Sequence, residues 1–126
     1  EEETAAAIRR TREDKGYLID PHTAVAVAVY GKYRQSTGDA TPTIIASTAS
    51  PYTFTEDVWQ SLTGKAVDDA FAAADKLSEL TGDPVPASLG ELKTLPELHT
   101  GVSGKEDLRD AVRTFLEGQR GKGVTA

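Results

Sequence analysis

The chain has 126 residues, 38% of them hydrophobic, with a net charge of −6 and a pI near 4.9. This length suits one domain, and the acidic balance argues against nucleic-acid binding, which requires clusters of Lys and Arg. With no Cys and only two His, the sequence excludes a disulfide framework, a thiolate nucleophile and Cys-ligated zinc, and no metal site is predicted.

The first predicted element is a helix over residues 2–15. Its acidic start and basic second half complement the helix dipole, and Gly16 is placed to end it. The apolar run Tyr17-Leu18-Ile19 that follows predicts a short strand.

A second helix is predicted from Asp20-Pro21 to about Ser36. Asp is a favoured N-cap residue, and Pro fits the first helical position because its missing N–H has no partner there. The stretch from Ala24 to Val29 has no polar face, so this helix is predicted to be buried on most sides.

The next element, Thr43 to Ser47, has the strongest strand pattern in the chain, since it is short, apolar and β-branched. Because both of its faces are apolar, it is predicted to be a parallel strand covered on each side. Thr48 to Pro51 follows the carboxyl end of this strand, which is where ligands bind in α/β proteins.

The remaining predicted elements are helices. The first has Thr55 as its N-cap, with Phe54 packed on Trp59. An amphipathic helix over residues 67–81 and a short helix at Ser88 to Lys93 follow. The last helix comes after a capping box at Ser103 and Glu106 and is marked by the apolar residues Leu108, Val112, Phe115 and Leu116.

These elements predict a helix-rich α/β fold with five to six helices and one or two short strands. Residues 1–117 are assigned to one domain and residues 118–126 to a flexible tail. A two-stranded sheet is not a stable core, so the partner strands are expected in another part of a larger protein. The absence of Met and the acidic helical start favour the same interpretation. No apolar run of about 18 residues and no signal-like start occurs, so no membrane contact and a cytoplasmic location are expected.

Two hydroxyls, of Ser47 and Thr48, are the strongest candidate ligand contacts. Such groups at a strand end hydrogen-bond a ring nitrogen or a phosphate, and the alternative is that they cap the next turn. His22 in the first turn of the second helix either faces a site or hydrogen-bonds nearby backbone. Asp20 is explained by its capping role, and His99 is interpreted as a surface loop residue.

Two segments resemble the C-terminal part of threonine synthases of the long bacterial and fungal type. The first is Tyr17-Leu18-Ile19-Asp20-Pro21-His22-Thr23-Ala24-Val25, and the second is Ser47-Thr48-Ala49-Ser50-Pro51-Tyr52-Thr53-Phe54. In the second segment the family pattern reads Ser-Thr-Ala-His-Pro-x-Lys-Phe, so this chain departs from it at Ser50 and Thr53. The resemblance covers residues 1–60 closely and the rest weakly.

The resemblance implies a piece of a pyridoxal-phosphate enzyme of the tryptophan-synthase-like class (fold type II). The full-length enzyme would convert O-phospho-L-homoserine and water to L-threonine and phosphate. It also implies that Thr48, with Ser47 beside it, contacts the pyridine nitrogen of pyridoxal 5′-phosphate, and that Asp20, Pro21 and His22 line the site.

The lysine that carries the cofactor lies, in this family, in a Ser-Phe-Lys-Asp-like motif, and neither that motif nor a glycine-rich phosphate loop occurs here. No catalytic residue is therefore assigned, and the chain alone is expected to be inactive and to self-associate through exposed apolar surface. The alternative is a stand-alone, non-catalytic helical binding module, favoured if the chain buries its apolar strand and second helix in a self-made core or in a homodimer. A small hydrolase lacks a visible nucleophile, base and acid.

Overall fold

A computed structural model describes residues 1–98 and 100–119. The helices are α1 (Glu2–Lys15), α2 (Pro21–Thr37), a 3₁₀ helix (Pro51–Phe54), α3 (Thr55–Thr63), α4 (Ala70–Thr81), α5 (Ala87–Leu92) and α6 (Leu108–Gln119). The chain divides into two compact units, Glu1–Thr94 and a second that starts at Leu95. No described helix is long and apolar enough to cross a membrane.

The first unit is built around α1, which packs against α2 and α3, while α3 packs against α4 and the 3₁₀ helix. Its core joins side chains from all of these elements and from the segment between α1 and α2. The buried members are Ala7, Ile8, Leu18, Ile19, Ala24, Tyr52, Val58, Ala74 and Leu77. This core holds the first turn of α2 against α1.

Local capping signals locate the first two helices correctly. Gly16 ends α1 with a φ of 66°, and Gly38 ends α2 with a φ of 69°, a left-handed conformation that glycine adopts without a Cβ clash. Asp20 is the N-cap of α2 and Pro21 is its first residue, as predicted. The capping chemistry of these positions therefore fixes where the two helices begin and end.

The predicted α/β class is wrong, because residues 1–98 and 100–119 contain no β-strand. Thr43 to Ser47 forms no helix or strand, and Ile44 is 97% exposed. A strand exists only where a neighbouring strand takes up its backbone hydrogen bonds, and the described part of the chain contains no strand that could pair with this stretch. Tyr17-Leu18-Ile19 is not a strand either, although Leu18 and Ile19 are buried in the core.

The prediction that α2 is buried on most sides is also wrong. Ala24 is fully buried, and Val27 and Ala28 pack against the core, but Val25 is 49% and Val29 59% exposed. The helix has apolar residues on both faces, and its main packing partner in the first unit is α1.

Three other boundaries differ from prediction. Thr55 is the first residue of α3, not its N-cap, and its hydroxyl donates to Ala70 O at 2.9 Å. The helix predicted over 67–81 begins at Ala70, because the Asp69 side chain caps it by accepting from Ala72 N–H. A short helix forms at Ala87–Leu92, close to the predicted stretch.

The second unit contains α6, which carries the predicted apolar residues Leu108, Val112, Phe115 and Leu116 on an exposed stripe. The predicted capping box at Ser103 and Glu106 does not start this helix, since α6 begins at Leu108. The predicted tail began at residue 118, but α6 continues to Gln119. Residues 120–126 and His99 lie outside the described residues.

Candidate functional site

The candidate site is organised by the carboxylate of Asp20. Its Oδ1 accepts the backbone N–H of His22 at 2.9 Å and that of Thr23 at 3.4 Å. Its Oδ2 accepts a hydrogen bond from the Thr23 hydroxyl. Although Asp20 is fully buried, these hydrogen bonds satisfy both oxygen atoms, as a buried carboxylate requires.

Two opposing effects act on the pKa of Asp20. Burial raises it, because the charged form loses water, whereas hydrogen bonds from the Thr23 hydroxyl, the backbone of His22 and Thr23 and the His22 side chain lower it. The hydrogen bonds together outweigh burial, so the pKa lies below the ordinary value of 3.8. Asp20 is therefore ionised at neutral pH.

Thr23 connects this turn to the predicted ligand-contact segment. Its Oγ1 lies 3.0 Å from Ser47 Oγ, across 24 residues of sequence. Consecutive Cα atoms are about 3.8 Å apart, so Thr48, the residue after Ser47, also lies near the start of α2. The prediction that Thr48 lies close to the start of this helix is confirmed, even though the strand predicted before it is absent.

His22 lies on the outer side of the same turn. Its Nδ1 is 3.2 Å from Asp20 Oδ1, and its ring centre is 4.9 Å from that of Phe54, with the ring planes tilted by 57°. The side chain is 70% exposed. Its ring is held between the capping carboxylate and an aromatic residue, and it remains accessible to a ligand.

The other two predicted site residues are placed differently. Thr48 is exposed, and its hydroxyl makes no hydrogen bond within the described part of the chain. Pro21 is half-buried and lines an open cleft of about 560 Å³ formed with α1 and α3, whose polar lining includes Glu1, Arg9 and Asp57. Ser47 and Thr48 do not line this cleft, so Pro21 and the hydroxyl pair face different surroundings.

Sequence reasoning missed Thr23. The available signal was its place three residues after the N-cap, where a side chain can reach back to the capping group. Ser50, where the chain departs from the family pattern, also has a local role, since its Oγ accepts the Tyr52 N–H at 3.2 Å and caps the 3₁₀ helix.

The lysines that have a described side-chain partner form ion pairs or ring contacts with residues outside this site. Lys32 pairs with Glu3 at 2.7 Å and Lys93 with Asp75 at 2.8 Å, while Lys76 lies over the Trp59 ring at 6.0 Å. In the described residues, no lysine hydrogen-bonds to Asp20, Ser47 or Thr48. No group of three or more His, Asp or Glu side chains there could hold a metal ion.

Comparison with known proteins places these features in a family. A family model described as "Threonine synthase, C-terminal" matches residues 23–115, and the chain belongs to this family. The match includes Thr23, Ser47 and Thr48 and begins directly after the Asp20-Pro21-His22 turn.

Threonine synthase-like 1 of Homo sapiens is 34% identical to the chain over 102 residues, which are 81% of this chain and 12% of that relative. The proteins of the same name from Macaca fascicularis and Pongo abelii are each 33% identical over the same length. The chain thus spans about an eighth of the length of these curated relatives.

The polar groups at this site are of a kind that can hydrogen-bond the ring nitrogen of a bound cofactor. The exposed Thr48 hydroxyl can donate to or accept from a ring nitrogen, and Ser47 offers an oxygen beside it. The described residues offer no lysine at this point for covalent attachment. The donor set therefore fits a contact to the ring nitrogen and does not fit a complete cofactor site.

Proposed function

We propose that this chain is the C-terminal part of a pyridoxal-phosphate-dependent threonine synthase. The full-length enzyme converts O-phospho-L-homoserine and water to L-threonine and phosphate, and the chain contributes Thr48, with Ser47, at the pyridine nitrogen. The cofactor supplies the electron sink when bound. The chain's own residues bind and orient its ring, and the covalent lysine comes from outside these 126 residues.

The observation that carries this proposal is the hydrogen bond between Thr23 and Ser47. It brings the two segments of family resemblance into contact. Thr23 also contacts the buried, ionised carboxylate of Asp20, and Thr48, which follows Ser47 in the chain, is exposed. All three hydroxyl residues lie within the matched range of the family. A local cap needs Asp20 and the first turn of α2, but it does not need Ser47.

The alternative, a stand-alone binding module, requires the apolar segments to be buried in a core of the chain itself or in a homodimer. Ile44 is 97% exposed, and Val25 and Val29 are about half exposed, which counts against burial in a core of the chain itself and leaves only the homodimer form of this alternative. The same exposed side chains support the expectation that the isolated chain self-associates.

The proposal is tested with two proteins. The 126-residue chain is mixed with pyridoxal 5′-phosphate, freed of excess, reduced with borohydride and mapped by peptide analysis, and we expect no lysine labelled stoichiometrically. The full-length protein that carries this chain is assayed for phosphate release from O-phospho-L-homoserine, and we expect activity that depends on added cofactor. A single fully labelled lysine in the short chain, or a full-length protein that neither binds the cofactor nor releases phosphate, contradicts the proposal.

A further inference from the structure

The hydroxyl of Thr23 lies within hydrogen-bond distance of two oxygen atoms, one from Asp20 and one from Ser47. Its Oγ1 is in hydrogen-bond contact with Asp20 Oδ2 on one side and 3.0 Å from Ser47 Oγ on the other. A hydroxyl has one proton and two lone pairs. Thr23 can therefore donate to only one neighbour and must accept from the other.

The direction is set by Asp20. An ionised carboxylate only accepts hydrogen bonds, and Asp20 is held ionised by the donors around it although it is buried. Thr23 accordingly donates to Asp20, and Ser47 donates to Thr23. The Ser47 hydroxyl has then used its one proton, and only its lone pairs remain for any other group.

We propose that Asp20 and Thr23 are positioning residues that fix Ser47 as a hydrogen-bond acceptor towards the ligand. Ser47 then recognises an N–H or O–H group, such as a protonated ring nitrogen, whereas Thr48, which has no hydrogen-bond partner in the described residues, can donate to an unprotonated ring nitrogen. Two adjacent hydroxyls thus have different chemical roles. The ligand assignment rests on the proposed function, but the direction of the hydrogen bonds does not.

The direction is tested in the 126-residue chain by hydroxyl hydrogen exchange, followed through the deuterium isotope shift of each attached Cβ. Ser47→Ala should leave the Thr23 hydroxyl slow to exchange, because its proton goes to Asp20. Thr23→Val should speed exchange of the Ser47 hydroxyl about fivefold, the typical effect of losing one neutral hydrogen bond. If Ser47→Ala instead releases the Thr23 hydroxyl and Thr23→Val leaves Ser47 unchanged, the direction is opposite and the proposal is overturned.

Asp20→Asn offers a variant that keeps the helix cap. The amide oxygen can accept the backbone N–H groups of His22 and Thr23, as Oδ1 does now, and Asn is a good N-cap. The amide N–H₂ then faces Thr23, which becomes an acceptor and donates to Ser47. The hydrogen-bond direction is reversed while the fold of the turn is retained.

The ligand role is tested by a double-mutant cycle in the full-length protein, with pyridoxal 5′-phosphate as the probe and its dissociation constant as the readout. Asp20→Asn should weaken binding about fivefold, the typical effect of one neutral hydrogen bond. In the Ser47→Ala background the same change should have less than a twofold effect.

An equal loss in both backgrounds, or no loss in either, overturns the positioning role. If the full-length protein with no substitution does not bind the cofactor, the proposed function and the ligand assignment fail together. The exchange experiment on the short chain then still decides the hydrogen-bond direction.

Discussion

The Arg12 guanidinium donates to Thr81 O at 2.6 Å, joining the end of α1 to the end of α4 across 69 residues of sequence. The same group donates to Gly16 O at 2.7 Å and lies 3.6 Å from the Asp83 carboxylate. Both carbonyls belong to or follow the last turn of a helix, where the backbone has no intrahelical partner. Arg12 thus satisfies two helix ends with one planar group.

Arg12→Ala should lower the free energy of unfolding by about 1–3 kcal/mol, because two carbonyls lose a charged donor. Arg12→Lys should recover only part of this, since an ammonium cannot reproduce the planar fork of the guanidinium. The measurement is urea unfolding of the three proteins. Arg10→Ala is the control, since Arg10 is exposed on α1. If Arg10→Ala lowers the free energy of unfolding as much as Arg12→Ala does, the loss comes from removing a positive charge from α1 and not from the contacts of Arg12.

The sequence predicted where helices begin and end better than it predicted the pairing of β-strands. Asp20, Pro21 and Gly16 act through atoms within a few residues of themselves, so their local chemistry is sufficient to place α1 and α2. Thr43 to Ser47 has an equally strong strand pattern, but a strand depends on hydrogen bonds from another segment. A local pattern cannot provide that segment, and the prediction was wrong for this reason.

In the candidate site, too, features that depend on distant contacts were harder to predict than features that depend on local sequence. The proximity of Thr48 to the start of α2 could be predicted, because the family pattern brings both segments together. Thr23 was missed because its role depends on a contact with Ser47, 24 residues away. The assignment of Ser47 and Thr48 to a cofactor stays a prediction.

Acid should weaken the first unit through Asp20. Its pKa is below 3.8 in the folded chain, so the stabilisation is present above the unfolded-state pKa and is lost as the pH falls through the folded-state value. Asp20→Asn removes this titration. The difference in unfolding free energy between the unsubstituted chain and the variant should therefore shrink as the pH falls below about 4. Asp14→Asn, at an exposed position of α1, controls for loss of one surface charge. A difference that stays constant from pH 7 to pH 2 would contradict the prediction.

Leu77 is the test of the core. It is fully buried on α4, whereas Leu80 on the same helix is 53% exposed. Leu77→Ala should cost about 2–5 kcal/mol of unfolding free energy, from lost burial and the cavity left behind. Leu80→Ala should cost less than about 1 kcal/mol, because most of its side chain already contacts water. Denaturant unfolding measures both. Similar losses at the two positions would show that the core does not form as described.

Thr48 is tested in the full-length protein, where the proposed function places its hydroxyl at the pyridine nitrogen. Thr48→Ser should keep most activity, since the hydroxyl remains. Thr48→Val keeps the shape but removes the hydrogen bond, and it should weaken cofactor binding by about 1 kcal/mol, or more if the nitrogen is left buried and unpaired. Thr48→Asp should perturb turnover most, because a carboxylate favours a protonated ring nitrogen.

The readouts are the dissociation constant for pyridoxal 5′-phosphate and the rate of phosphate release for the three variants. Thr53→Val is the matched control, because Thr53 is also exposed and belongs to the same resembling segment without an assigned contact. It should leave the affinity within about twofold, well below the effect of one lost hydrogen bond. Equal affinity and rate for the unsubstituted protein and Thr48→Val would mean that this hydroxyl does not contact the cofactor.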